Sequence, residues 1–383
     1  MTLLYNHMAP RFSELEQQMV VHIPPGGNWS NIPESVPSKR LEQIRRSGGR
    51  TTYYGRLRWE KPSYTISTYF NRIGNGCHIH PEQDRLISTR EGARLQSFPD
   101  SYRFIGSKGA IYKQIGNAVP PLLGYAISKH LSKYIKGKSF IDLFAGAGGL
   151  SDGFRMNSMK PIAAIEMEKY YFDTYLENLN PKSTKGFIHG DICDKKNQKI
   201  IVDIASTHKT DIITGGPPCQ GFSLAGWHNK DDLRNQLFKE FVSLVAKISP
   251  KLFIMENVPG MLSMDNGEFI KKIMKEFESI GYHVNQPWKL NAANYGVPQK
   301  RKRIFIIGSA KPIKIEAPEP ILDEEHFITV KDAIYGLPSL EPGEGNEISN
   351  VSFKAHSNYQ KYLMGKITAE EFYKKIQLMK ITV

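Results

Sequence analysis

Cysteine is scarce in this chain of 383 residues: only Cys77, Cys193 and Cys219 occur. An odd number without framework spacing excludes a disulfide scaffold and favours a reducing compartment. Long hydrophobic runs are missing as well. No stretch of about twenty apolar residues is present, and the opening MTLLYNHMAPRF has no apolar signal core, so a soluble, cytoplasmic protein with no membrane partner is expected. No internal repeat or long low-complexity tract is found. Acidic residues are few beside basic ones, 38 against 51, giving a formal net charge of +13 spread over scattered Lys and Arg. That sign suits a polyanionic partner. On charge alone, a merely basic protein is an equally open reading. Hydrophobic residues make up 40% of the chain, enough to fill one large and one smaller core, which excludes the disordered and fibrous classes.

From Ser139 onward, short apolar runs alternate with amphipathic stretches, the pattern of a doubly wound α/β sheet. The spacing predicts strands over 140–144, 161–166, 186–190, 211–216, 252–257 and 303–308, with helices over roughly 168–179, 233–248 and 266–280. The first third (HIPPGGNW, YYGRLRWEKP) is rich in Pro, Gly and aromatics and reads as loops and short strands until a helix begins near Val119. After residue 309 the chain turns Pro- and Glu-rich and then reaches a helix-like TAEEFYKKIQLM. The expected fold is a Rossmann-like mixed sheet with helices on both faces, spanning 110–309. A smaller, irregular, strand-containing domain would be built from 310–383 together with 1–109.

The turn after the first of these strands is Phe144-Ala-Gly146-Ala-Gly148-Gly149-Leu150. Glycines there let backbone approach a ligand, and a helix N-terminus offers free N–H groups. The dinucleotide fingerprint fails because Ser151 stands where the third glycine belongs, which argues against a pyrophosphate. Glu166, at the end of the next strand, can accept from ribose hydroxyls, and Asp191, after the third, from an adenine amino group. Each is weak alone, since strand-end acids are commonly solvated or capping residues. Together they suggest a nucleoside with a non-phosphate tail, and S-adenosylmethionine fits.

The fourth strand runs into Gly215-Gly216-Pro217-Pro218-Cys219-Gln220-Gly221-Phe222-Ser223. A lone cysteine is ordinarily a small buried hydrophobe. This one follows two prolines at the carboxyl end of a central strand, where open α/β sheets bind ligands. Glu256-Asn257-Val258 ends the next strand, and Gln299-Lys300-Arg301-Lys302-Arg303 precedes the last, with alternation placing Arg301 and Arg303 on one side. Cys77-His78-Ile79-His80 matches no complete zinc spacing and reads as a structured loop, so no metal is expected. Cys193 reads as structural.

In this order FxGxGG, GGPPCQGFS, ENVPG and QKRKR resemble the motifs of the DNA (cytosine-5) methyltransferases. REGARLQSFPD at 90–100 and QIGNAVP at 114–120 resemble that family's last two motifs. The resemblance covers nearly the whole chain. It departs in order, because the two closing motifs come first, as in circularly permuted members. Joining Val383 to Met1 would restore the usual order, with the segments around 356–363 and 4–10 continuing one recognition region.

The resemblance implies Cys219 as nucleophile, Glu256 as the acid at cytosine N3, and Arg301, with Arg303 beside it, at the base oxygen. It implies Phe144, Gly146, Gly148, Gly149, Glu166, Asp191, Pro217 and Asn117 around S-adenosylmethionine, and Gln220, Phe222 and Ser223 in a loop that moves as the base flips. The implied setting is a bacterial cytoplasm and a monomer on double-stranded DNA, paired with a cognate restriction endonuclease. A tRNA methyltransferase and a catalytically silent DNA-binding homologue remain as alternatives, although intact Cys219, Glu256 and Arg301 weigh against silence.

Overall fold

A computed structural model of the chain describes residues 2–181, 183–218 and 233–379. They form two compact units: Met1–Leu123 with Ala292–Arg301 and Pro320–Val383, and Gly124–Asn291 with Lys302–Glu319. The boundaries expected at 110 and 309 therefore run differently. Residues 110–123 and 292–301 belong with the terminal segments, held there by bonds such as Gln96 Nε2 to the Ile115 carbonyl (2.6 Å) and the Leu122 N–H to Ser97 Oγ (3.0 Å).

In the first unit, β1 (Thr2–Met8) precedes β2 (Gly55–Arg56) and β3 (Cys77–Ile79), which pair parallel. The partner of β1 is β12 (Gly345–Val351), antiparallel, with Leu3 opposite Asn350 and Tyr5 opposite Ile348. Asn6 anchors β1 further: its side chain donates to the Phe104 carbonyl at 3.0 Å and accepts the Phe104 N–H at 2.8 Å. The expectation of mainly loops before Val119 is corrected by helices at Glu14–Val20, Lys39–Ser47, Thr89–Leu95 and Lys108–Asn117. Their N-termini are fixed locally. Ser13 and Ser88 accept from the N–H groups of Glu16 and Glu91, whose carboxylates accept back from the serine N–H groups. Each helix is only seven to ten residues long, too short for a periodic apolar stripe to stand out. His78 and His80 are buried about β3, and burial pushes both down to about 4, leaving neutral rings. His80 Nδ1 accepts the N–H groups of Glu82 and Gln83, so this segment is held by its own turn.

The second unit carries β4 (Ser139–Leu143), β5 (Lys160–Glu166), β6 (Phe187–His189), β7 (Ile212–Gly215), β8 (Leu252–Asn257), β9 (His283–Val284), β10 (Trp288–Asn291) and β11 (Lys302–Ser309). They form a mixed sheet ordered β10-β11-β8-β7-β4-β5-β6, with β9 also on β11. The strands from β8 to β6 are parallel to their neighbours, while β11 runs antiparallel to β8, β9 and β10. Parallel neighbours need crossovers, and the chain supplies helices at Gly149–Met156, Lys169–Leu179, Lys195–Thr207 and Leu233–Ile248. Strands covered on both faces read as continuous apolar runs, which is why FIDL and LFIM were legible. Ile141, Leu143, Ile213, Phe253 and Met255 are fully buried, and Phe253 stacks on Phe277 at 3.8 Å between ring centroids. The chain lays β5 and β6 on one side of β4 and then crosses to β7 on the other. The order reverses between β4 and β7, and ligands of open α/β sheets bind beyond the carboxyl ends of strands at such a point. Among the described residues no helix is long and apolar enough to cross a membrane.

Candidate active site

At the carboxyl end of β4 the chain turns sharply. Phe144 takes a left-handed conformation (φ 63°), unusual for a side chain of that size, and rests half-buried against the sheet's core. Gly148, at φ 84°, caps the helix Gly149–Met156; the left-handed geometry is the one glycine adopts without strain. This places Gly146, Gly148 and Gly149 in one tight turn.

Glu166 closes β5 beside that turn. Its carboxylate accepts the N–H of Gly146 at 2.7 Å and of Glu168 at 2.9 Å. Burial pushes this carboxyl up, while the Glu168 and Gly146 N–H groups pull it down. Asp191 is exposed after β6, and its Oδ1 accepts the Cys193 N–H at 2.8 Å. The half-buried Cys193 thiol is pushed up to about 11, chiefly by burial, which fits a structural role. Below the turn, the buried Asp142 accepts from Ser151 Oγ, which also lies 3.1 Å from Tyr175 Oη. Burial raises Asp142 to about 7. Ser151, the residue that spoils the dinucleotide fingerprint, thus ties the helix to β4.

The second cluster sits where β7, β8 and β11 end or begin. A Cβ on Gly216 would lie 2.7 Å from Glu256 Oε2, so only glycine leaves room for the carboxylate there. Pro217 follows, buried, and its carbonyl accepts from Asn257 Nδ2 at 3.1 Å. Asn257 was legible in the Glu-Asn-Val run but had been given no role; it ties the end of β8 to the chain leaving β7. Arg303 reaches Glu256 with Nε 2.9 Å from Oε1, both side chains mostly buried. Cys219, Gln220, Phe222 and Ser223 lie outside the described residues.

Arg301 departs from expectation. Strand β11 begins at Lys302, so Arg301 does not share a strand face with Arg303. It is fully buried in the first unit, where its two terminal nitrogens donate to the carbonyls of Ile66 (3.1 Å) and Gly116 (2.7 Å). A guanidinium committed to two backbone carbonyls is not presented to a ligand, and the cation beside Glu256 is Arg303. Asn117 ends the helix Lys108–Asn117 of the first unit.

A family model described as C-5 cytosine-specific DNA methylase matches residues 8–133 and 138–379. The chain is 40% identical over 242 residues to the Type II methyltransferase M1.HphI of Haemophilus parahaemolyticus, covering 62% of this chain and 63% of that protein. It is 42% identical over 231 residues to M.DdeI of Desulfomicrobium norvegicum, covering 58% and 54%. With M.AgeI of Thalassovita gelatinovora it shares 34% identity over 251 residues, covering 60% and 58%. The matched region is thus less than two thirds of the length of each of these relatives.

Proposed function

The chain belongs to the C-5 cytosine-specific DNA methylase family, and from that premise we propose that it transfers a methyl group from S-adenosylmethionine to C5 of a cytosine flipped out of duplex DNA. The observation that carries the reading is the Glu256–Arg303 pair packed beside Gly216-Pro217, from which the chain runs directly to Cys219.

Cytosine C5 is too weak a nucleophile to take a methyl group unaided. The Cys219 thiolate adds to C6, forming a C–S bond and giving C5 enamine character. Glu256, hydrogen-bonded at N3, relieves the charge that addition puts on the ring. Arg303 holds the Glu256 carboxyl and contributes positive charge beside the base. Bound S-adenosylmethionine supplies the electrophilic methyl group on its sulfonium. Loss of the C5 proton to a base then expels the Cys219 thiolate and restores the aromatic ring. The base must leave the stack to be reached, and Gln220, Phe222 and Ser223 are assigned to the loop that moves as it does.

The residues at the end of β4 suit the cofactor. Glu166 offers carboxylate oxygens for the ribose, and its hydrogen bonds from the Gly146 and Glu168 N–H groups orient it. Phe144 is assigned to the adenine face, Asp191 to its edge, Gly146, Gly148 and Gly149 to the amino-acid tail, and Pro217 and Asn117 to the remaining wall.

The permuted motif order is part of the same proposal. It is supported by the pairing of β1 with β12, which joins the two terminal segments in one unit, and by a family match that breaks at 134–137. Target recognition is assigned to the segments 310–383 and 1–109. The protein would act as a monomer in a bacterial cytoplasm, protecting DNA from a cognate restriction endonuclease. Incubation with methyl-labelled cofactor and either duplex DNA or tRNA tests the function. Label in DNA is expected; label in tRNA alone would move the substrate class, and label in neither would leave a silent homologue.

A further inference from the structure

The segment that enters β11 is pinned before the strand begins. The Ser63 N–H donates to the Pro298 carbonyl and the Lys300 N–H to the Ser63 carbonyl, both at 2.9 Å. Thr65 Oγ1 donates to the Lys300 carbonyl at 2.9 Å. Gln299, fully buried, accepts the Ile66 N–H at 2.8 Å and donates from Nε2 to the Leu95 carbonyl and Gln96 Oε1. Arg301 takes the other side of the same residue, the Ile66 carbonyl, and adds that of Gly116. Gln299 and Arg301 therefore hold both backbone groups of Ile66, and the Arg301 carbonyl accepts the Ala292 N–H at 2.8 Å to close the loop 292–301.

Buried side chains engaged this fully fix a backbone register, because slipping by one residue would strand several polar groups without partners. In a strand a one-residue slip also turns every side chain to the opposite face. Arg303 lies two residues beyond Arg301. We infer that Gln299 and Arg301 are positioning residues for the transfer: they lock the register in which the chain enters β11 and so act through Arg303 and its contact with Glu256, without touching the base.

This inference rests on the proposed methyl transfer and is tested by a double-mutant cycle. Lysine cannot reproduce a guanidinium's fork across two carbonyls. In the intact protein, Arg301→Lys is expected to lower kcat about tenfold with KM for DNA unchanged, and Arg303→Lys about a hundredfold. Because one residue acts through the other, the double variant should be no slower than Arg303→Lys alone. Losses that multiply would mean Arg301 contributes independently, and the inference would fall. Gln299→Asn, which draws the amide back from Ile66, should show the same non-additivity and serves if Arg301→Lys does not fold. A crystal structure of either folded variant gives a readout independent of turnover: Arg303 should have left hydrogen-bond distance of Glu256. An unmoved pair would overturn the inference. Absence of methyl transfer by the wild-type protein would instead overturn the proposed function and leave this structural arm to decide.

Discussion

Arg303 Nε stands 2.9 Å from Glu256 Oε1, across antiparallel strands in which Phe305 is the register partner of Glu256. The two side chains are 13% and 15% exposed, so neither end of the pair is simply solvated. The carboxyl is placed for chemistry rather than for cofactor binding. Glu256→Gln is therefore expected to leave S-adenosylmethionine affinity nearly unchanged while methyl transfer falls by roughly a hundredfold or more. Calorimetric titration with single-turnover rates checks this; weaker cofactor binding with intact chemistry would reverse the assignment.

Glu166 should behave in the opposite way. Its carboxylate sits at the head of β5, bonded to the Gly146 N–H of the glycine turn. Glu166→Ala removes both the ribose acceptor and that tie. A loss of about 1–3 kcal/mol in cofactor affinity is expected, the scale for hydrogen bonds to a charged group. Chemistry at saturating cofactor should survive. An unchanged dissociation constant would remove Glu166 from the cofactor site.

Asp142 gives the fold a pH dependence of definite sign. Burial raises its carboxyl from 3.8 to about 7, against the opposing hydrogen bond from Ser151 and with help from the charge of Glu166. The folded chain therefore binds this proton more tightly than the unfolded chain does. The stabilisation is fully present below 3.8 and is lost as pH rises through about 7. Asparagine keeps an acceptor for Ser151 and cannot ionise. Asp142→Asn should thus gain in Tm relative to wild type as pH is raised from about 4 to 8, and thermal melts giving a pH-independent difference would contradict the assignment.

The permuted order has its own test. The pairing of β1 with β12 places the early and late segments in one two-stranded sheet. A chain with its ends joined by a short Gly/Ser link and reopened near Gly137 is expected to fold and to methylate the same DNA sequence. Bisulfite sequencing of DNA from expressing cells reads the outcome. A relinked protein that folds but has lost its sequence choice would count against the permutation.

The legible part of the fold was the part that burial writes into the sequence. Strands β4, β5, β7, β8 and β11 are covered on both faces, and their apolar runs marked them to within a residue or two. The partnership of β1 with β12 left no such mark: the strands are more than three hundred residues apart, and β12 is largely exposed. The short helices of the first third were announced by Ser13-x-x-Glu16 and Ser88-x-x-Glu91, a signal that the surrounding Pro and Gly obscured. At the site, spacing brought Glu256 beside the chain leaving β7 but did not separate the two arginines. Period-two alternation gives Arg301 and Arg303 the same side, whereas the strand begins between them and only Arg303 reaches Glu256.

The central claim is that Cys219 attacks the cytosine ring, and a duplex carrying 5-fluorocytosine in the target site tests it most directly. Fluorine cannot leave C5 as a proton does, so the thiolate adduct cannot resolve after methyl transfer. A complex stable to denaturation should form only when S-adenosylmethionine is present, with the DNA linked to the peptide containing Cys219, and it should vanish in Cys219→Ser. A full-strength adduct in that variant, or one attached to Cys77 or Cys193, would contradict the account.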